Sequence, residues 1–270
     1  MDLLAPTAVT VEQWSLAQGG FPGYCRGCGD WGQFSQSQPA AGDWANLMEG
    51  MMCSCGLNGR MRGILMALDD LLLRLGRIPA TAAVFERLTP LFPRLLERLP
   101  GLTGSEYLGD SLASGSVVQT AWGGIRHESL LAPSFGDASL DLVMHFDVLE
   151  HVPDVDQALR ECWRILRPGG WMLFSCPFYE ELESTIVRAR LVDGVLEHVL
   201  EPCYHGNPVD GGGALVFSQP GWDLWERVQH AGFGRVGVSL CFDPVQGVLT
   251  DACPYPDGHA WPVVFAAQKP

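Results

Sequence analysis

Leu140 to Phe146 reads Leu-Asp-Leu-Val-Met-His-Phe, an almost unbroken apolar run. A strand without a polar face is buried on both sides, the condition of an inner strand in a parallel sheet covered by helices. A helical pattern follows from about Val155 to Leu166, and Pro168, Gly169 and Gly170 end it and turn the chain. The next run, Trp171 to Cys176, is again strand-like. Strand–helix–strand in this rhythm is the βαβ unit. The rhythm continues on either side. Strands are expected at Ala80–Phe85, Gly101–Glu106 and about Gly124–His127, with a helix at Leu91–Leu99 opened by Pro90. A helix at Trp222–Ala231 stops at Gly232, and two late strands fall near Arg235–Phe242 and Val263–Ala267. The expected fold is α/β, a doubly wound and mainly parallel sheet. Residues 178–219 read as irregular and polar.

The chain divides near residue 80. Residues 57–76 carry Leu57, Ile64, Leu65, Leu68, Leu71, Leu72 and Leu75 near helical spacing, stopped by Gly76 and Pro79. Before them, residues 1–56 are rich in Gly, Pro, Gln and Ser and show little periodicity. They hold two cysteine pairs, Cys25 and Cys28 in CRGC and Cys53 and Cys55 in CSC. Two thiolate pairs about 25 residues apart can surround a tetrahedral zinc ion. Gly27 and Gly29 permit the tight turn a knuckle needs. The second pair is too extended to share an ion unless the chain turns around Ser54 or Gly56. Four thiolates would close the shell, so the zinc is expected to be structural. A redox dithiol at Cys25 and Cys28 is the competitor, but its usual strand-to-helix setting is missing. Residues 1–79 are therefore taken as a small zinc-binding module with a linking helix, and 80–270 as the α/β domain. The five later cysteines read as buried packing residues.

Composition narrows the function classes. Of 270 residues, 31 are acidic and 17 basic, a net charge of −14, and Lys269 is the one lysine. Such a field repels a phosphate backbone, so nucleic acid is not the expected partner. No apolar stretch long enough to span a membrane and no secretory leader are visible. Nine cysteines, an odd number without a leader, point to reduced thiols and the cytoplasm. The oligomeric state is not legible.

The segment SFGDASLDLVMHFDVLEHVPDVDQALRECWRILRPGGWMLFSCPF, Ser134 to Phe178, resembles the central stretch of class I S-adenosylmethionine-dependent methyltransferases. The likeness extends more loosely over residues 80–270. It implies a seven-stranded Rossmann-like sheet, S-adenosylmethionine as cofactor, and binding at the carboxyl ends of the strands. By position in the family's pattern, Glu106 in GSEYLGD takes the ribose, with Tyr107 beside it. Glu128 in RHESL stands by the adenine, and Ser129 or Leu130 flanks the ring. Phe146, Asp147 and His151, at the end of the fourth strand, face cofactor or acceptor. The family's glycine-rich loop after the first strand is absent. FERLTP, Phe85 to Pro90, stands there instead, and Glu86 and Thr89 are its candidate cofactor contacts. Arg60 and Arg62 are arginines that could meet the cofactor's carboxylate.

The resemblance also places acceptor-binding insertions at about 178–219. There VRARLVDGVLEHVLEPCYHGNPVDGGGALVF gathers Glu197, His198, Glu201, Tyr204, His205 and Asn207. His205 is the expected base, His151 the second, with Tyr204 beside them. Methyl transfer to an oxygen, nitrogen or carbon of a small-molecule or glycan-like acceptor is the leading function. A methyltransferase-like scaffold without catalysis is the alternative, resting on the missing glycines. A zinc hydrolase is disfavoured because no open histidine–carboxylate metal site is legible.

Overall fold

The computed structural model describes residues 5–37, 45–207, 209, 212–251 and 260–270. Chain contacts divide it into two units. One comprises residues 1–77, 178–182 and 238–264, and the other residues 78–177, 183–237 and 265–270.

The first unit opens with α1 (Ala5–Gln18) and an antiparallel ribbon, β1 (Gly20–Cys25) with β2 (Asp30–Gln36). A short α2 (Leu47–Gly50) leads into β3 (Met51–Cys53), which pairs with β2 so that Phe34 stands opposite Cys53. These elements occupy a stretch whose sequence shows no period. The ribbon is rich in Gly and Gln, and Phe34 is the one β2 side chain fully turned inward. The following α3 (Gly59–Leu75) is the predicted helix. Asn58 caps it by accepting from the N–H of Met61 at 2.8 Å, and Gly76 ends it at φ +61°. Its buried face carries Ile64, Leu65, Leu68 and Leu71.

The second unit begins with β4 (Ala82–Val84), α4 (Leu91–Arg98) and β5 (Leu102–Glu106). Next come β6 (Val117–Thr120), β7 (Gly123–His127), β8 (Leu140–Phe146), α5 (Val155–Ile165) and β9 (Leu166–Ser175). After six short strands, α6 (Asp223–His230), β16 (Arg235–Leu240) and β17 (Val263–Gln268) close the chain. The main sheet has the order β16-β17-β9-β8-β4-β5-β7-β6. The five strands from β9 to β7 are parallel to their neighbours, and β17 and β6 are antiparallel to theirs. This is the predicted α/β sheet with one strand more than seven: β6, four residues in a Gly- and Ser-rich link, adds an edge. β8 matches its expected bounds, and six of its seven residues are buried. α5 is capped by Asp154 and buries Val155, Ala158, Leu159, Cys162 and Ile165.

Two expectations are corrected here. The Pro-Gly-Gly turn does not precede β9 but lies inside it, because Leu166 already pairs with Leu140 across a register shift. Gly169 (φ +78°) and Gly170 make this irregularity; a Cβ on Gly170 would press on the Arg167 carbonyl oxygen at 2.9 Å. Residues 178–219 are not irregular throughout. They contain three ribbons: β10 (Ile186–Val187) with β15 (Ser218–Gln219), β11 (Ala189–Val192) with β12 (Val195–His198), and β13 (Tyr204–His205) with β14 (Ala214–Leu215). Strands of two to four residues are too short to show a period. Of the later cysteines, Cys162, Cys176 and Cys241 are buried and Cys203 is half-buried. Cys253, Pro208 and Gly211 lie outside the described residues.

Candidate active site and metal centre

The parallel strands meet at β4. The chain leaves it toward β5 on one side, and β8 lies on the other, which makes the β4/β8 boundary the switch point of the sheet. Val84 pairs with Gly104 on β5 and with Met144 on β8. Glu86, Glu106 and Phe146 each lie two residues beyond that rung, and Glu106 stands opposite His127 of β7. One level of the carboxyl edge thus carries three of the expected cofactor contacts, Glu86, Glu106 and Phe146.

Glu106 is braced by the loop that lacks glycine. Its Oε2 accepts the N–H of Arg87 at 3.1 Å and of Leu88 at 3.0 Å. Burial pushes its carboxyl above the usual carboxylate range, and these N–H groups oppose the shift. Glu86 is buried, and Thr89 Oγ1 is buried without a hydrogen-bond partner among the described residues. Tyr107 is half-exposed, packs its ring 5.5 Å from that of His127 and donates to Asp110. Burial and Asp110 both raise its pKa. Phe146 is buried, and Asp147 sits at φ +51°, with Oδ1 accepting from Ser175 Oγ at 2.8 Å.

Other expected contacts are engaged with neighbouring protein groups, although the Glu128 N–H donates to the Glu106 carbonyl at 3.1 Å. Glu128 is buried and its carboxylate is committed: Arg126 Nε lies at 2.8 Å, Ser134 N donates at 2.8 Å and Ser134 Oγ at 2.5 Å. That is a strut between β7 and the loop before β8, not a free acceptor for adenine. Ser129 is occupied in the same turn, donating its N–H to Ser114 Oγ and accepting from Leu131 N. Arg60 pairs with Glu49 at 2.7 Å, both in the first unit. Arg62 is completely buried on backbone carbonyls and cannot meet a ligand carboxylate.

The structure does gather the two candidate bases. His151 lies in a 3₁₀ turn just after β8, and His205 lies on β13. Their rings are 5.1 Å apart and nearly perpendicular at 88°. Between them stands Glu150, 1% exposed, whose Oε1 is 3.6 Å from His151 Nε2 and 3.7 Å from His205 Nδ1. His151 Nδ1 is 2.9 Å from the Leu215 carbonyl oxygen, to which an Nδ1–H donates. Because Leu215 pairs with Tyr204, one ribbon positions both histidines. Burial pushes the Glu150 carboxyl up, and His205 partly offsets this. Such a cluster can share and pass on a proton. Tyr204 lies alongside but is 57% exposed. The sequence missed the central place of Glu150; its only signal is the Glu-His pair itself. The chain also has the open histidine–carboxylate donor set that its sequence does not reveal: ligand atoms of Glu150, His151 and His205 lie within 4.8 Å of one another.

In the first unit, Cys25 ends β1, Cys28 lies in the turn to β2, and Cys53 ends β3. Gly29 (φ +72°) donates to the Cys25 carbonyl and Gly56 (φ +86°) to that of Cys53, closing two matching knuckles. The second is the turn that CSC requires. The four sulfurs lie within 4.8 Å of one another, with Cys25–Cys55 at 3.7 Å and Cys28–Cys53 at 3.6 Å. A tetrahedral zinc with bonds of about 2.3 Å sets its sulfurs about 3.8 Å apart. All four thiols are free. Burial disfavours ionisation of Cys25 and Cys53 alike, but at Cys53 the N–H of Cys55 and the neighbouring thiols prevail and bring it to about 7.

Parts of the chain are similar to known methyltransferases. Residues 101–174 match the family described as "Methyltransferase domain". A Mycolicibacterium smegmatis protein named "Probable S-adenosylmethionine-dependent methyltransferase" is 49% identical over 53 residues, 20% of this chain and 21% of that protein. A "Ubiquinone biosynthesis O-methyltransferase" of Sinorhizobium medicae is 33% identical over 88 residues, 33% of this chain and 32% of that one. The chain thus spans a fifth to a third of the length of these relatives. A solved S-adenosylmethionine-dependent methyltransferase of Mesorhizobium loti is 16% identical, covering 76% of this chain and all of that one, with a TM-score of 0.45. Residues 101–174 thus carry a methyltransferase domain. Among the described residues, no helix is long and apolar enough to cross a membrane.

Proposed function

We propose that the protein is an S-adenosylmethionine-dependent methyltransferase acting on a small-molecule or glycan-like acceptor. One observation carries the reading: the stretch that matches the methyltransferase domain family supplies Glu106, Phe146 and Asp147 to one edge of the sheet. S-adenosylmethionine, when bound, supplies the methyl group. Glu106 would accept from the ribose hydroxyls through Oε1 while the loop N–H groups hold Oε2. Glu86, Thr89, Tyr107 and Asp147 would line the same pocket. The strap of residues 178–219 would cover the acceptor on a transferase body of residues 80–270. His205, oriented by Glu150, would take the proton of an acceptor hydroxyl or ammonium, with His151 as its reserve and Tyr204 at the rim. Relatives named for O-methylation make oxygen acceptors the first to test. The free donor face of Cys25, Cys28, Cys53 and Cys55 fits one structural zinc ion, which would hold β1, the knuckles and β3 together.

The test is the product, S-adenosylhomocysteine. A ligand that binds only the folded chain must raise its melting temperature. No shift at millimolar product favours the scaffold reading, which rests on the glycine-free loop of Phe85 to Pro90.

A further inference from the structure

Among the described residues, Arg62 is the largest fully buried side chain of the first unit, and none of its hydrogen-bond partners is charged. Nε donates to the Gln246 carbonyl at 2.6 Å, Nη1 to Leu57 at 2.7 Å, and Nη2 to Met51 at 2.8 Å and Gly247 at 2.9 Å. Its Cζ lies 4.2 Å from the centroid of the Phe34 ring. These groups take four of its five N–H protons, and every one is neutral. Arg26 and Arg60 in the same unit each have a carboxylate, Asp69 and Glu49. Among the described residues no carboxylate pairs with Arg62. A buried cation without a counter-charge is strongly unfavourable, so such groups are paired in folded proteins.

The cysteine cluster is where a counter-charge can arise. Met51 and Leu57, which hold two arms of the guanidinium, bracket Cys53 and Cys55 in the chain. The Leu57 carbonyl that accepts from Nη1 also accepts the N–H of Cys53. Phe34, beneath the guanidinium, is the ladder partner of Cys53. Leu57 in turn presses on the first knuckle, where a Cβ on Gly27 would lie 2.0 Å from Leu57 Cδ1. Four thiolates on one divalent ion leave two net negative charges.

We infer that Arg62 is the buried counter-charge of the metal–thiolate centre, and that its positive charge, more than its hydrogen-bonding fork, sets the affinity of the four cysteines for zinc. The inference rests on the zinc reading above. It also ties the metal to the turn at Gln246 and Gly247, which Arg62 holds with two of its four bonds. Loss of the ion leaves a buried cation uncompensated, so the first unit loosens as a whole. Residues outside the ligand shell that orient or neutralise ligands typically change metal affinity by about 10–100-fold.

The test uses the full chain, stripped of metal, in four forms: wild type, Arg62→Lys, Arg62→Gln and Arg62→Met. Zinc affinity is read by competition with a chromophoric chelator, and the site by the thiolate charge-transfer band of cobalt(II). The two neutral variants should lose about 10–100-fold in zinc affinity, whereas lysine should retain most of it. Chelation should also lower the melting temperature less in Arg62→Met than in wild type, since no cation is stranded. Equal affinity in all four forms overturns the inference, as does a loss in Arg62→Lys as large as in Arg62→Met. If neither neutral variant folds with excess zinc, Arg62→Lys decides: retained affinity supports the charge, and a tenfold loss refutes it. A wild-type chain with no cobalt–thiolate band overturns the zinc reading itself, which keeps the two failures apart.

Discussion

Replacing His145 with phenylalanine should make the protein less sensitive to acid. His145 lies on β8, fully buried, with its ring stacked 5.1 Å from Phe174, which stacks in turn 5.0 Å from Phe265. Neither ring nitrogen has a hydrogen-bond partner among the described residues. Burial alone pulls its pKa down to about 3. The unfolded chain titrates this imidazole near 6.5. Above pH 6.5 both states hold it neutral and it has no effect on stability. As pH falls below 6.5 the unfolded chain takes up a proton that the folded chain refuses, and stability is lost until about pH 3. At pH 5, one and a half units below the unfolded value, the loss is about 2 kcal/mol, and it hardly depends on the folded value so long as that stays below 4. Urea unfolding of wild type and His145→Phe, each at about pH 7.5 and pH 5, isolates the effect. Any overpacking by phenylalanine acts at both pH values and cancels in the difference of differences. Wild type should lose about 2 kcal/mol more than the variant between the two conditions. Equal losses would refute the reasoning and would mean that His145 is protonated or hydrated in the folded state.

Three further outcomes follow from the site. Glu106→Ala should weaken S-adenosylhomocysteine binding by about 1.5–3 kcal/mol in calorimetry, the value of a hydrogen bond to a charged acceptor; unchanged affinity removes Glu106 from the pocket. His205→Ala should cut turnover by at least about tenfold and leave product affinity nearly unchanged, and a variant with full turnover makes His205 structural. Elemental analysis should find one zinc per chain, and chelation should lower the stability of the first unit in hydrogen exchange, while a metal-free native protein would contradict both.

The parts of the fold visible in the sequence are those whose pattern is set by burial on a regular element. β8 announces itself because six of its seven side chains are inward. α3 and α5 do so because apolar residues recur at helical spacing between an asparagine or aspartate cap and a stop. The ribbons of the first unit and of residues 178–219 were hidden for the opposite reason. In residues 178–219 the strands have two to four residues and β12 is exposed throughout, while in the first unit β2 turns only Phe34 fully inward. The candidate site divides similarly. The rung of Glu86, Glu106 and Phe146 follows from strand ends, which sequence can place. The commitment of Glu128 to Arg126 and Ser134, and of Arg60 to Glu49, depends on rotamers and partners that no spacing encodes. Glu150 belongs to the second kind too, since it acquires its role only when β13 brings His205 back beside His151.

The glycine-free loop after β4 shows why a missing motif need not mean a missing site. Glycine is required where the chain takes a positive φ or where a Cβ would block a close approach. Between Phe85 and Pro90 no described residue has a positive φ, so side chains are tolerated throughout. Phe85 is anchored on Phe135, with ring centroids 6.2 Å apart, and the Arg87 guanidinium reaches the Gly124 carbonyl at 2.9 Å. Held at both ends, the loop points two consecutive N–H groups at Glu106. Those N–H groups oppose the upward shift that burial imposes on its carboxyl. A charged Glu106 is the better acceptor for a pair of hydroxyls. On the proposed reading of Glu106, the loop would serve the site by holding its carboxylate in place, a task for which an ordinary backbone suffices. It follows that substituting glycine at Arg87 or Leu88 should not improve cofactor binding, because the freed backbone would hold Glu106 less firmly.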